Sequence, residues 1–146
     1  MSAAGDVRLY MVLQKAAHAF KKHADAALMA AADLTTAQSA VLVVINSKQE
    51  ATQRSVADAL GLNESAVTAM ARKLMSRGLI ERRRSETDAR AWSLRLTSEG
   101  KSALAEVADP FSGLNNKVDE ALGSEEVIVL GKLLSTLTEA LQADGA

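Results

Sequence analysis

Along most of this chain apolar residues recur three to four positions apart, the spacing of one face of an α-helix; a strict two-residue alternation occurs near the middle. A first helix is predicted from about Asp6 to Ala32, with Val7, Met11, Phe20, Ala24, Ala27 and Leu28 near helical spacing. The segment "LTTAQSAVLVVIN" is a second. Thr35 and Gln38 make its capping box, in which each side chain satisfies the other residue's free backbone amide. "SKQEA" is a polar connector. A short helix from Thr52 to Leu60 stops at Gly61, and another from Asn63 to about Arg77 is ended by Gly78.

The alternation comes next. Leu79 to Arg84 and Trp92 to Thr97 are predicted as a two-stranded hairpin around the polar loop "SETDARA". Trp92, Leu94 and Leu96 are expected to face the body, with Ser93, Arg95 and Thr97 outward. Thr97 then caps a helix holding Leu104, Val107, Phe111, Leu114, Val118 and Leu122 in register. Pro110 lies inside it and should kink or interrupt it. A last helix begins at Ser124, with Glu125 and Glu126 near the positive end of its dipole. Its stripe is Val127, Leu130, Leu133, Leu134, Leu137 and Leu141. The chain is therefore mainly α, with six helical segments and one hairpin.

The two short helices carry the first functional signal. In "QRSVADALGLNESAVTAMAR", Ala57 is a small residue where two helices can cross closely. Gly61 tolerates the positive φ of a tight turn. Val56, Leu60, Val67, Met70 and Leu74 fill the space between them. This is the pattern of a helix-turn-helix, whose second helix enters the DNA major groove; an ordinary helical hairpin is the bland alternative. A two-stranded hairpin is marginal alone, so the strands must lean on these helices as a wing.

Composition narrows the rest. At 146 residues, 48% of them apolar, the chain can bury a core and is not disordered. It has no cysteine, which excludes a disulfide framework, a thiol nucleophile and a thiol redox sensor within it. No run approaches 18 apolar residues, and "MSAAGDVR" lacks the basic start and apolar run of a signal peptide, so a cytoplasmic location without a membrane partner is expected. The net charge of −1 conceals an asymmetry. Between Arg72 and Arg95 eight basic side chains face three acidic ones, a surplus of +5, and the remainder of the chain carries −6. A positive block on an acidic body is the footprint of a polyanion-binding face. No catalytic residue, cofactor or metal is indicated. The two histidines, His18 and His23, share a helix at a spacing of five, which does not place them on one face.

"LTTAQ", the helix-turn-helix, "KLMSRGLIERR", "TDARAWSLRLTSEG" and the late "SEEVIVLGKLLSTL" together resemble the MarR family, the multiple antibiotic resistance regulators. The resemblance covers essentially the whole chain. It is most specific in the wing, at Asp88, Arg90, Leu94, Leu96, Thr97 and Gly100, with Gly78 and Leu79 upstream. It implies a homodimeric winged helix-turn-helix transcription regulator, often a repressor, released from a pseudo-palindromic double-stranded operator by a small-molecule effector. It further implies that Arg90 enters the minor groove, oriented by an Asp88 salt bridge. A narrow minor groove concentrates negative potential and attracts arginine. The family's usual long helix after the wing is uninterrupted; Pro110 is a departure.

The wheel of the second helix of the pair puts Val67, Met70, Ala71 and Leu74 on the buried stripe. Ser65, Ala69 and Arg72 lie opposite, with Ala66 and Thr68 on the flanks. These five, Arg72 through its guanidinium, are the candidate groove contacts. Gln53 and Arg54 are placed against phosphates. Arg82 and Arg84 share a strand face, and Arg84 is the preferred phosphate contact there. Residues 35–97 are assigned to DNA binding, and 1–34 with 98–146 to a helical dimerisation region. By the same resemblance the effector would sit between these regions, with His18, Lys22, His23, Ser39 and Phe111 as candidates. The competing class is a winged helix used for protein contact without DNA; it gives no reason for a basic recognition face.

Overall fold

Four helix starts in the computed structural model, which describes residues 3–145, are set by side-chain caps. Helix α1 spans Ala3–Ala32, α2 Thr36–Ser47, α3 Gln53–Leu60 and α4 Glu64–Ser76. Strands β1, Ile80–Arg84, and β2, Trp92–Leu96, follow; then α5, Ser98–Glu106, α6, Ala108–Leu122, and α7, Ser124–Asp144. Thr35 and Gln38 form the expected capping box on α2. Thr52 and Ser55 form a second on α3, with a hydroxyl in place of the usual carboxamide. Asn63 and Thr97 accept from the amides of Ala66 and Gly100. Each such cap contributes about 1 kcal/mol. The chain reverses at Gly61 (φ 65°) and Gly78 (φ 72°), the left-handed conformation the sequence reserved for glycine.

The helix after the wing is two helices. Proline offers no amide, and its ring collides with the carbonyl four residues earlier. For Pro110 that residue is Glu106, where α5 ends before α6 begins at Ala108. The described residues therefore hold seven helices rather than six.

The chain divides into two compact units, one ending at Pro110 and the other beginning at Phe111. In the first unit, Leu28 of α1, Val41 and Leu42 of α2, Val56 of α3, Val67 and Leu74 of α4, and Leu94 of β2 are buried together with Val107. Each such side chain is worth about 1.5–3 kcal/mol on burial. Ala57 is 2% exposed, as a close crossing requires. The α1–α2 corner is held by Asp25, whose carboxylate accepts the Thr36 amide and hydroxyl. Those hydrogen bonds, the hydroxyl's foremost, with Lys21 beside it, hold the Asp25 carboxyl below the usual carboxylate range. The second unit carries the rest of α6 and α7, and no residue of α7 is buried in the single chain.

The hairpin pairs antiparallel, from Ile80 opposite Leu96 to Arg84 opposite Trp92. It departs from the expected facing at two residues. Trp92 is 41% exposed and Ser93 is buried. The alternation places Trp92 on the face of Leu94 and Leu96, but at the far end of the hairpin, next to the loop rather than over the core. Ser93 is covered instead from the other side, where it lines a cleft with Gln49 and Glu50 of the α2–α3 connector. That connector is more than a polar link: Ala51 forms an antiparallel bridge with Leu94, whose amide donates to the Ala51 carbonyl at 2.7 Å. Among the described residues no single helix is long and apolar enough to cross a membrane.

Candidate nucleic-acid interface

Helix α4 turns Val67, Ala71 and Leu74 into the core, which leaves its other face outward. Ser65, Ala69 and Arg72 are exposed there, and Ala66 and Thr68 are half-buried at its flanks. Asn63 organises the start of the helix, since its side-chain oxygen accepts both the Ala66 amide and the Ser65 hydroxyl. Thr68 Oγ1 lies 2.7 Å from Gln53 Oε1 and also 2.8 Å from the Glu64 carbonyl. Gln53, at the first turn of α3, is thereby tied to the middle of α4. Arg54 beside it is exposed. An open cleft of about 340 Å³ runs here between Thr52, Gln53, Arg54 and Glu64 on one side and Arg82, Trp92 and Leu94 on the other.

The arginines of the basic window divide by what they hold. Arg77 reaches back to the last carbonyls of α1, donating to Asp33 at 2.6 Å and Ala32 at 3.4 Å, and closes that helix end. Arg83 pairs with Glu81 at 3.0 Å on the cleft side of the hairpin. On the opposite face Arg82 and Arg84 both lie over the Trp92 ring, 4.5 and 4.6 Å from its centre. Arg84 Nη1 also donates to the Ala89 carbonyl at 2.7 Å, so it braces the wing loop. Arg84, expected against a phosphate, thus also has an internal partner, which depends on the loop conformation and leaves no pattern in the sequence. Arg72 and Arg90 have no side-chain hydrogen bond or ion pair among the described residues.

The wing tip is built differently from the resemblance. Asp88 and Arg90 form no side-chain ion pair; Asp88 Oδ1 accepts the backbone amide of Arg90 at 3.0 Å. The carboxylate fixes the turn at Arg90 and leaves its guanidinium free. Behind the tip stands Glu50, which sequence reasoning left in a connector. Its Oε1 accepts the Glu86 amide at 2.7 Å, and its Oε2 accepts the hydroxyls of Ser85 and Thr87, each at 2.8 Å. These bonds, the backbone one first, hold the Glu50 carboxyl below its ordinary range, so it is ionised at neutral pH. A partner 35 to 37 residues away leaves no local pattern in a sequence.

The four effector candidates of the first unit are not gathered in one place. His18 and Lys22 line an open depression of about 250 Å³ on α1 with Lys21 and Asp25. His23 is exposed outside it. Ser39 is fully buried on α2, and its hydroxyl has no partner among the described residues. Phe111 belongs to the second unit. Among the described residues no cluster of three metal-ligating side chains occurs.

Residues 32–91, from the last residue of α1 to the end of the wing loop just before β2, match the model of the MarR family. The HTH-type transcriptional regulator BilQ of Clostridium symbiosum is 32% identical over 102 residues, 70% of this chain and 71% of BilQ. The chain belongs to the MarR family. The transcriptional repressor MprA of Escherichia coli is 37% identical over 91 residues, 60% of this chain and 51% of MprA, so that match spans about half of MprA. Among solved structures, the repressor CouR bound to a 23-mer DNA duplex superposes with a TM-score of 0.83 at 27% identity, over 94% of this chain and 99% of that one. CouR bound to p-coumaroyl-CoA superposes at 0.78 and 26%, over 87% and 88%. As a MarR-family chain this protein is a winged-helix DNA-binding transcription regulator, and the relatives it matches are regulators rather than enzymes.

Proposed function

We propose that this MarR-family chain is a homodimeric repressor that holds a pseudo-palindromic operator and is released from it by a small-molecule effector. The observation that carries the DNA reading is that Arg72 of α4 and Arg90 of the wing are exposed with no side-chain partner among the described residues, while Arg77 and Arg83 of the same basic window are engaged within the chain. Ser65, Ala66, Thr68, Ala69 and Arg72 would read base edges, Arg90 the minor groove, and Gln53 and Arg54 the phosphates. Arg84 would contribute its charge from a braced position. Residues 35–97 would carry the DNA-binding role and residues 1–34 with 98–146 the dimer. The exposed apolar faces of α1 and α7 support the dimer, and p-coumaroyl-CoA on CouR supports a small-molecule effector and is the first compound to test.

A mobility-shift titration tests this with the DNA upstream of the protein's own gene and with random DNA, over a salt series. The unsubstituted protein should prefer the upstream DNA. Arg90→Ala should weaken that binding by about 1–3 kcal/mol. Arg54→Ala should weaken both DNAs alike and make the salt slope shallower by about one unit, as loss of one phosphate contact requires. Arg72→Ala should narrow the gap between the two DNAs. Equal ratios of upstream to random binding for Arg54→Ala and Arg72→Ala would sink the division of roles. No binding by the unsubstituted protein at low salt would sink the repressor reading.

A further inference from the structure

We propose that Glu50, outside the DNA-contacting set, is the positioning residue that presents the wing tip to the minor groove; the proposal rests on the DNA-binding reading above. The relay can be followed bond by bond. Glu50 Oε2 accepts the Ser85 hydroxyl at 2.8 Å. Ser85 Oγ in turn accepts the amides of Thr87 at 3.2 Å and Asp88 at 3.1 Å. Asp88 accepts the amide of Arg90. Thr87 and the Glu86 amide bind the same Glu50 carboxylate directly. The seven residues of the loop between Arg84 and Trp92 contribute no side chain to the core. What orders them is the ladder behind, the loop's own bonds from the Ser85 amide to the Ala91 carbonyl at 3.1 Å and from the Ala91 amide to the Asp88 carbonyl at 3.0 Å, the Arg84–Ala89 bond, and this one carboxylate, the tie that comes from outside the hairpin, held by the connector that leads into α3. The wing is thus fixed to the start of the helix-turn-helix as well as to its own strands.

The residue type fits the task. Two hydroxyls and one amide donate toward Glu50, and both carboxylate oxygens are occupied as acceptors. A glutamine would offer one acceptor oxygen and turn its NH2 toward a donor. An arginine that must be ordered on binding forfeits affinity, whereas a loop ordered beforehand does not.

Electrostatics and positioning predict opposite signs, which makes the proposal easy to test. Removing a carboxylate from the wing by charge alone should tighten binding to a polyanion. Positioning predicts that Glu50→Ala weakens operator binding about tenfold, a typical coupling between residues of one network. Glu50→Gln, which also removes the charge, should weaken it in the same direction and by less. In an Arg90→Ala background Glu50→Ala should change affinity by less than about twofold, since the residue it positions is gone. Amide hydrogen exchange on the free protein should quicken at Glu86, Thr87 and Asp88 in both Glu50 variants and stay unchanged in α4. Tighter or unchanged operator binding by Glu50→Ala and Glu50→Gln overturns the proposal. So does an equal loss with and without Arg90, or accelerated exchange throughout α4. Absence of DNA binding by the unsubstituted protein overturns the DNA-binding reading and the proposal together, whereas binding unmoved by the Glu50 variants overturns the proposal alone.

Discussion

Trp92 is the single tryptophan of the chain, and it stands 41% exposed with two guanidiniums over its ring. Its role is to hold Arg82 and Arg84 in line on one face of the hairpin rather than to fill the core. Cation–π contacts at exposed sites are worth about 0.5–1 kcal/mol each. Trp92→Ala should therefore cost about 1–2 kcal/mol in a denaturant melt, well below the 3–5 kcal/mol of a tryptophan removed from a core. A loss in the core range would show the ring to be packed and the stack incidental. The alternation of Trp92, Leu94 and Leu96 correctly named residues on one face; it could not say how far the body reaches beneath them. The same limit applies to Asp88. Its motif was readable, but whether its carboxylate meets the Arg90 guanidinium or the Arg90 amide depends on a loop conformation that Glu50 sets from 36 residues before Glu86.

Elements were legible where their signals are local. Thr35, Asn63, Thr97, Gly61, Gly78 and Pro110 each mark a start or stop that the chain obeys, because caps, left-handed turns and missing amides act within four residues. What the sequence hides is how elements seat on one another. Gly100 of α5 illustrates this: a Cβ there would run into the Leu79 carbonyl, closer than any real contact, with Leu96 Cδ2 at 3.2 Å behind it. The seat is further held by the Thr97 amide on that same Leu79 carbonyl at 3.1 Å and the Thr97 hydroxyl on Gly78 at 2.6 Å. Helix propensity alone makes Gly→Ala stabilising by up to about 1 kcal/mol. At Gly100 the clash should win, and Gly100→Ala should destabilise by about 1–3 kcal/mol. Gly113→Ala on α6, where nothing lies within 4 Å of a new Cβ, should show the bare propensity gain. Thermal melts of the pair check this, and a stabilised Gly100→Ala would mean that α5 slides on its seat at little cost.

At the scale of the molecule, the single chain leaves apolar surface that a regulator of this size would not expose to water. Helix α7 has Ile128 at 60%, Leu133 at 63% and Leu141 at 64% exposure, and α1 exposes Val7, Leu9, Tyr10, Met11 and Val12. Contiguous apolar patches of this kind mark interfaces. The leucine stripe of α7 was plain in the sequence, but periodicity identifies a face that wants cover without saying which chain supplies it. If a second copy supplies it, Leu134→Asp places an unpaired charge in that contact. The unsubstituted protein should then sediment as a dimer at micromolar concentration and the variant as a monomer. DNA binding should fall with it for a geometric reason. Two-fold proteins grip half-sites about 10 base pairs apart, and tethering the second wing and α4 raises their effective concentration toward millimolar. The monomer has one half-site to hold and loses that gain, so its operator affinity should drop by about a hundredfold or more. Its affinity for an isolated half-site should stay unchanged, because α4 and the wing lie in the other unit of the chain. A Leu134→Asp protein that remains dimeric with full operator affinity would exclude α7 from the interface.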